Sequence, residues 1–186
     1  ALPLTELLEQ TREQFRAKYS LEPRWMAAAP GRVHMIGEHT DYNDGFVLPM
    51  AIERYVVMAA APSDGESNGA EFRLASSMVE QEERFPLGMD DWKQLAPWAR
   101  YVYGVMVGCR DRGMEWGPLN IAVNSNVPLG GGLSSSAALE VATATLLEAV
   151  TGASMEKIEK ALLCQKAEHE YAGVPCGIMD QFTSVL

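Results

Sequence analysis

Cysteine is scarce in this chain. Cys109, Cys164 and Cys176 are the only three among 186 residues. Their odd number and wide spacing offer no zinc-type pairing, so they read as reduced thiols of an intracellular protein. Positive charge is short as well. Fifteen lysines and arginines face 25 acids, for a formal net charge of −10. Such a surface offers no favourable long-range field to nucleic acid or to an anionic membrane. It still permits a nucleotide ligand in a local pocket of donors. No apolar run approaches membrane-spanning length, and "ALPLTELLEQ" lacks the basic n-region of a signal peptide. The expectation is a soluble cytoplasmic protein. Its 47% hydrophobic share is ordinary for a globular chain that can bury a sizeable core.

Internal repeats, low-complexity segments and a recognisable linker are also missing, so one α+β domain over residues 1–186 is the economical expectation. Leu4, Leu7, Leu8, Phe15 and Tyr19 predict an amphipathic first helix. Pro30 and Gly31 read as a breaker, and Asn43-Asp44-Gly45 as a turn. "FVLPMAI" and "YVVMAAA" predict two short strands, with Pro49 marking an edge or a bulge. "SDGESNGAE" predicts a hairpin tip before a strand that begins at Phe72 and Leu74. Trp98, Val102, Val105, Met106 and Cys109 share one helix face.

The alternation in "LNIAVNS" predicts a half-buried strand. Ala138, Val141, Ala142, Thr145 and Ala149 then mark a helix ended by Gly152. A further helix is expected from an N-cap at Ser154 to Gly173, and a strand from about Phe182.

Between the alternating strand and the next helix lies "PLGGGLSSSAALE". Glycines let backbone N–H groups approach a ligand and adopt dihedrals that other residues resist. A helix N-terminus adds unpaired donors and the positive end of its dipole. A surface turn and an anion cradle are both compatible with this stretch by itself. Two common phosphate motifs are absent: Gly132 is followed by Leu133 rather than a Walker lysine, and the helix leads to another helix rather than to a dinucleotide-binding strand.

"GRVHMIGEHTDYNDG" places Arg32, Glu38, His39 and Asp41 in a glycine-interrupted segment suited to polyol hydroxyls, which both donate and accept. Glu168 falls on a face shared with Ile158, Ala161, Leu162, Gln165 and Ala172. A carboxylate there needs a partner or a cation. Asp180, between Met179 and Phe182 and after Gly177, is a candidate base. "HEYAG" lacks the second histidine of a zinc protease. Met179 stands where a zinc deaminase needs its second cysteine, so no zinc is assigned.

Three segments carry a resemblance in order along the chain. "GRVHMIGEHTDYNDGFVLPMAI" resembles the galactokinase signature, and "VPLGGGLSSSAALE" resembles the ATP motif of GHMP small-molecule kinases. "AEHEYAGVPCGIMDQF" is similar to the galactokinase segment with the catalytic aspartate. The resemblance implies the GHMP-kinase N-terminal fold (ribosomal protein S5 domain 2-like, a mixed sheet with packed helices). It also implies a kinase placing phosphate from ATP on the 1-hydroxyl of galactose, in a family that is often monomeric.

By matching position, Asp180 would be the catalytic carboxylate and Arg32 its partner. Glu38, His39, Asp41 and Gly177 would meet the sugar. Pro128, Gly130, Gly131, Gly132, Leu133, Ser134 and Ser135 would wrap the phosphates. Ser136 would join Glu168 in holding Mg²⁺, and Trp98 would contribute to the nucleotide pocket. His34 stands where asparagine is usual, and Asp44 where glycine is frequent. Members of the family are about twice this length, so the chain is expected to be an N-terminal half without the C-terminal GHMP domain. A non-catalytic galactose/ATP sensor, or a kinase for another sugar such as N-acetylgalactosamine, is the alternative.

Overall fold

The computed structural model describes residues 2–36, 46–63, 71–128 and 130–186. Helix α1 (Leu4–Tyr19) leads into strands β1 (Trp25–Ile36), β2 (Leu48–Pro62), β3 (Phe72–Ser76) and β4 (Val79–Phe85). Helix α2 (Pro97–Asp111) precedes β5 (Leu119–Ser125). Helices α3 (Ser135–Thr151), α4 (Lys157–Ala167) and α5 (Met179–Val185) follow, with a π-helical turn at Glu168–Ala172. The five strands form one sheet in the order β1-β2-β5-β3-β4. Only the β3–β5 pair is parallel, so the sheet is mixed.

Alternation along the central strands explains which helix lies where. Val56, Met58 and Ala60 of β2 and Leu119, Ile121 and Val123 of β5 pack into a core shared with α2, α3 and α4. Ala59 and Ala61, with Ala75 and Ala122, pack instead with Phe15 and Tyr19 of α1. Small residues on that second face leave room for the two rings of α1. This corrects the half-buried reading of "LNIAVNS": Asn120 and Ala122 are buried along with their alternates, because helices cover both faces.

Other expectations change for local reasons. Pro30 and Gly31 do not break the chain. They sit inside β1 at a register shift between Pro30 and Arg32, a bulge that absorbs the residue without an N–H. "FVLPMAI" and "YVVMAAA" belong largely to one long strand, β2. Pro49 pairs with His34 at a second irregularity, on a stretch of β2 that lacks β5 on its other side, as a proline edge requires. No hairpin joins β2 to β3, since β5 lies between them; residues 64–70 themselves lie outside the described residues.

Gly152 ends α3 as expected, its N–H bonding Glu148 O, although Ala149 on the expected stripe is exposed. Helix α4 begins three residues after Ser154, with Glu156 at the N-cap position and no side-chain bond to the first turn. Glu148 Oε1 takes the Met155 N–H at 2.6 Å and delays the first turn. Ile158 and Leu162 are exposed, and the buried stripe runs through Ala161, Cys164 and Ala167 to Glu168. The segment at Phe182 is helix rather than strand. Phe182 N bonds Ile178 O, and Ser184 Oγ donates to Pro30 O in β1 at 2.8 Å.

Candidate active site

Three elements converge where β1 leaves its bulge. Arg32, almost fully buried, extends from β1 and grips Asp180 on α5 with two hydrogen bonds. Nε meets Oδ1 and Nη2 meets Oδ2, each at 2.7 Å. This forked geometry is the strongest arrangement open to a guanidinium and a carboxylate. The third arm, Nη1, donates to Gly132 O at 2.5 Å, and the Arg32 backbone N–H donates to Leu133 O at 3.1 Å. The glycine loop is thereby fastened to the ion pair.

That loop connects β5 to α3. Gly130 and Gly132 have φ of +68° and +67°, and a Cβ at either would meet only open space. Backbone conformation, rather than a close neighbour, makes glycine the fitting residue here. Ser134 follows at φ +54° and caps α3 with no side-chain bond to its first turn. Its hydroxyl instead donates to Asp180 Oδ2. Ser135 and Ser136 open the helix, so the loop presents the orphan donors and positive dipole end of α3. Pro128 and Gly131 are both exposed, and a Cβ at Gly131 would lie 3.3 Å from the Pro128 Cβ.

Beside this helix start lies a mainly apolar cavity of about 310 Å³. Trp98 and Tyr101 of α2 line it with Val56, Val123 and Leu139, together with Ser135 and Ser136. The Tyr101 phenol is pushed up first by burial and then by the charges of Glu168 and Glu140.

Glu140 is a functional candidate that the sequence reading passed over. It is fully buried, and burial, then Glu168, pushes its carboxyl well above the ordinary range. Gln181 bridges the two acids, its Nε2 lying 3.0 Å from Glu140 Oε2 and 2.6 Å from Glu168 Oε2. Cys176 Sγ donates to the same Glu168 oxygen at 3.2 Å. Burial and Glu168 push that thiol upward, away from thiolate reactivity. Glu140 Oε1 has no hydrogen-bond partner. The available signal was a lone acid one helical turn after Ser136 in an otherwise apolar run.

Mg²⁺ takes hard oxygen ligands and, beside phosphates, needs only one or two carboxylates. Buried Glu168 and the orphaned Glu140 oxygen supply that chemistry near Ser136, so the donor set fits the ion. Among the described residues no three His, Cys, Asp or Glu side chains form a metal cage by themselves. Gly177 lies half-buried just before α5. Glu38, His39 and Asp41, and the expected turn at Asn43-Asp44-Gly45, lie outside the described residues.

Residues 13–62 match the galactokinase galactose-binding signature, and residues 100–186 match the N-terminal domain of GHMP kinases. Dog galactokinase is 45% identical over 191 residues, an alignment covering 97% of this chain and 46% of that protein. Galactokinase of Thermotoga maritima is 45% identical over 157 residues, covering 84% and 42%. A crystal structure of Lactococcus lactis galactokinase complexed with galactose superposes with a TM-score of 0.81 at 30% identity, over 95% of this chain and 45% of that one. The chain thus spans about half the length of the curated relatives it matches, and over that span it is similar to galactokinases among the GHMP kinases.

Proposed function

We propose that the protein carrying this chain is a cytoplasmic galactokinase that moves the terminal phosphoryl group of ATP onto the 1-hydroxyl of galactose. The observation that carries this reading is the forked Arg32–Asp180 pair fastened to a glycine loop at a helix N-terminus. It sets a carboxylate for the acceptor beside donors for the phosphates.

In the reaction, Asp180 orients the acceptor hydroxyl and receives its proton. The hydroxyl oxygen bonds to the terminal phosphorus while the bond from that phosphorus to the ADP oxygen breaks. Arg32 holds Asp180 and adds positive charge where negative charge gathers. The N–H groups of Gly130 to Ser135 meet the phosphate oxygens. Trp98 and Tyr101 take the nucleotide base in the apolar cavity. Glu38, His39, Asp41 and Gly177 meet the remaining sugar hydroxyls. Ser136 and Glu168 would hold Mg²⁺, which neutralises phosphate charge when bound.

The test is ADP release by the natural full-length protein, with galactose, glucose and N-acetylgalactosamine offered separately. Release above background that requires galactose supports the reading. Binding of both ligands without ADP release would replace it with the sensor, and preference for another sugar would replace the substrate.

A further inference from the structure

Asp180 Oδ2 receives both Arg32 Nη2 and the Ser134 hydroxyl, which fills its two lone-pair directions. Among the described residues Oδ1 receives only Arg32 Nε and retains one. Facing that oxygen is His34 Nε2, 3.8 Å away. The separation is too long for a direct hydrogen bond. Nε2 is also buried without any hydrogen-bond partner, a rare condition for a polar atom in a native fold. His34 sits two residues after Arg32 on β1, so strand periodicity directs both side chains to one side of the sheet. The same side chain lines an open cavity with Val33, Ile36 and Gly131 to Leu133.

We infer that the acceptor hydroxyl binds between Asp180 Oδ1 and His34 Nε2, which makes His34 a substrate-contacting residue and Oδ1 the oxygen that takes the proton. A hydroxyl oxygen at about 2.8 Å from each atom bridges two groups this far apart, once the part-exposed imidazole turns Nε2 from its solvent-closed position toward the cavity. It donates to Oδ1 and accepts from the imidazole N–H, in the tautomer with hydrogen on Nε2. Both orphaned positions are then satisfied by one group. Ser134 acts as a positioning residue, because it occupies Oδ2 and leaves a single productive direction. The inference rests on the galactokinase reading above and adds to it the atoms that hold the reacting hydroxyl.

Calorimetric titration of the natural full-length protein with galactose and with 1-deoxygalactose, which lacks that hydroxyl, tests it. His34→Leu and His34→Ala differ in bulk, and both lack the N–H. Each is expected to weaken galactose binding about tenfold, the effect of one lost buried hydrogen bond. Each should leave 1-deoxygalactose binding within about twofold. His34→Asn, which restores an N–H donor, should recover most of the loss. Equal weakening of both sugars would assign His34 a purely structural role and overturn the inference, as would unchanged galactose affinity. Either result leaves the galactokinase reading standing. Failure of the unaltered protein to bind galactose overturns that reading and the inference with it.

Discussion

Arg32 and Asp180, 148 positions apart in sequence, meet in two parallel hydrogen bonds of 2.7 Å. The pair fixes α5 to β1 and gives the carboxylate one orientation. Arg32→Met keeps much of the bulk and removes the charge, leaving Ser134 as the hydrogen-bond donor to Asp180 among the described residues. Loss of one partner of a buried pair costs roughly 3–5 kcal/mol. The lower end is expected because 21% of the Asp180 side chain remains open to solvent. Denaturant unfolding of both forms measures it, and a loss below about 1 kcal/mol would show that the pair behaves as a surface contact. Asp180→Asn in the full-length protein should abolish turnover while sparing ATP binding.

The close approach of Gly31 to the loop gives a second prediction. A Cβ at Gly31 would lie 2.7 Å from Leu133 O, the acceptor of the Arg32 N–H. Backbone cannot yield as a flexible side chain does, so Gly31→Ala should destabilise by about 1–3 kcal/mol and displace the glycine loop. Gly117→Ala is the control, since nothing lies near its Cβ and its φ is not positive. Equal melting temperatures for the two variants would refute the contact.

Much of this arrangement is legible in the sequence. Strand, glycine loop and helix follow from alternation, Gly130 to Gly132 and the spacing after Ser134. The buried stripe of α4 is only partly so: Ala161 and Glu168 lie on the expected face and are buried, but Ile158 and Leu162 are exposed, because the core meets the flank of that face where Ala161 and Cys164 are small enough for close packing. Helix α5 is short, and its polar residues serve distant groups. Gln181 reaches Glu140 and Ser184 reaches Pro30. Local patterning carries no trace of such partners. For the same reason Ser134 reads as a phosphate donor in sequence, while its hydroxyl lies on Asp180 in the fold.

Glu140 predicts a pH dependence of stability. Its carboxyl is raised well above the ordinary value of 4.5, so the folded state binds the proton more tightly than the unfolded state. That contribution is fully present below the ordinary carboxylate value and is lost as pH rises above it towards the folded-state value. Glu140→Gln is uncharged at every pH and keeps the shape. In buffer without divalent cations, it should raise the melting temperature at pH 8 more than at pH 5. An equal shift at both pH values would mean that Glu140 ionises in the fold as it does in the unfolded chain.

The cavity beside α3 separates nucleotide from sugar energetics. Trp98 and Tyr101 line it with aromatic surface, and Ser135 and Ser136 line it with hydroxyls at the start of α3. Aromatic contact with a base is worth about 1–3 kcal/mol by alanine substitution. In the full-length protein, Trp98→Ala should therefore raise KM for ATP between about fivefold and a hundredfold. Galactose affinity should change little, because Arg32, Asp180 and His34 keep their contacts. Trp98 also packs against the core, so truncation is expected to lower stability as well. Trp98→Phe retains a ring and most of that packing, and it should recover nucleotide binding more fully than a purely structural role would allow. The decisive comparison is ATP against galactose in the folded Trp98→Ala protein. A parallel loss for both ligands would place Trp98 in the scaffold, whereas a loss confined to ATP assigns the cavity to the base.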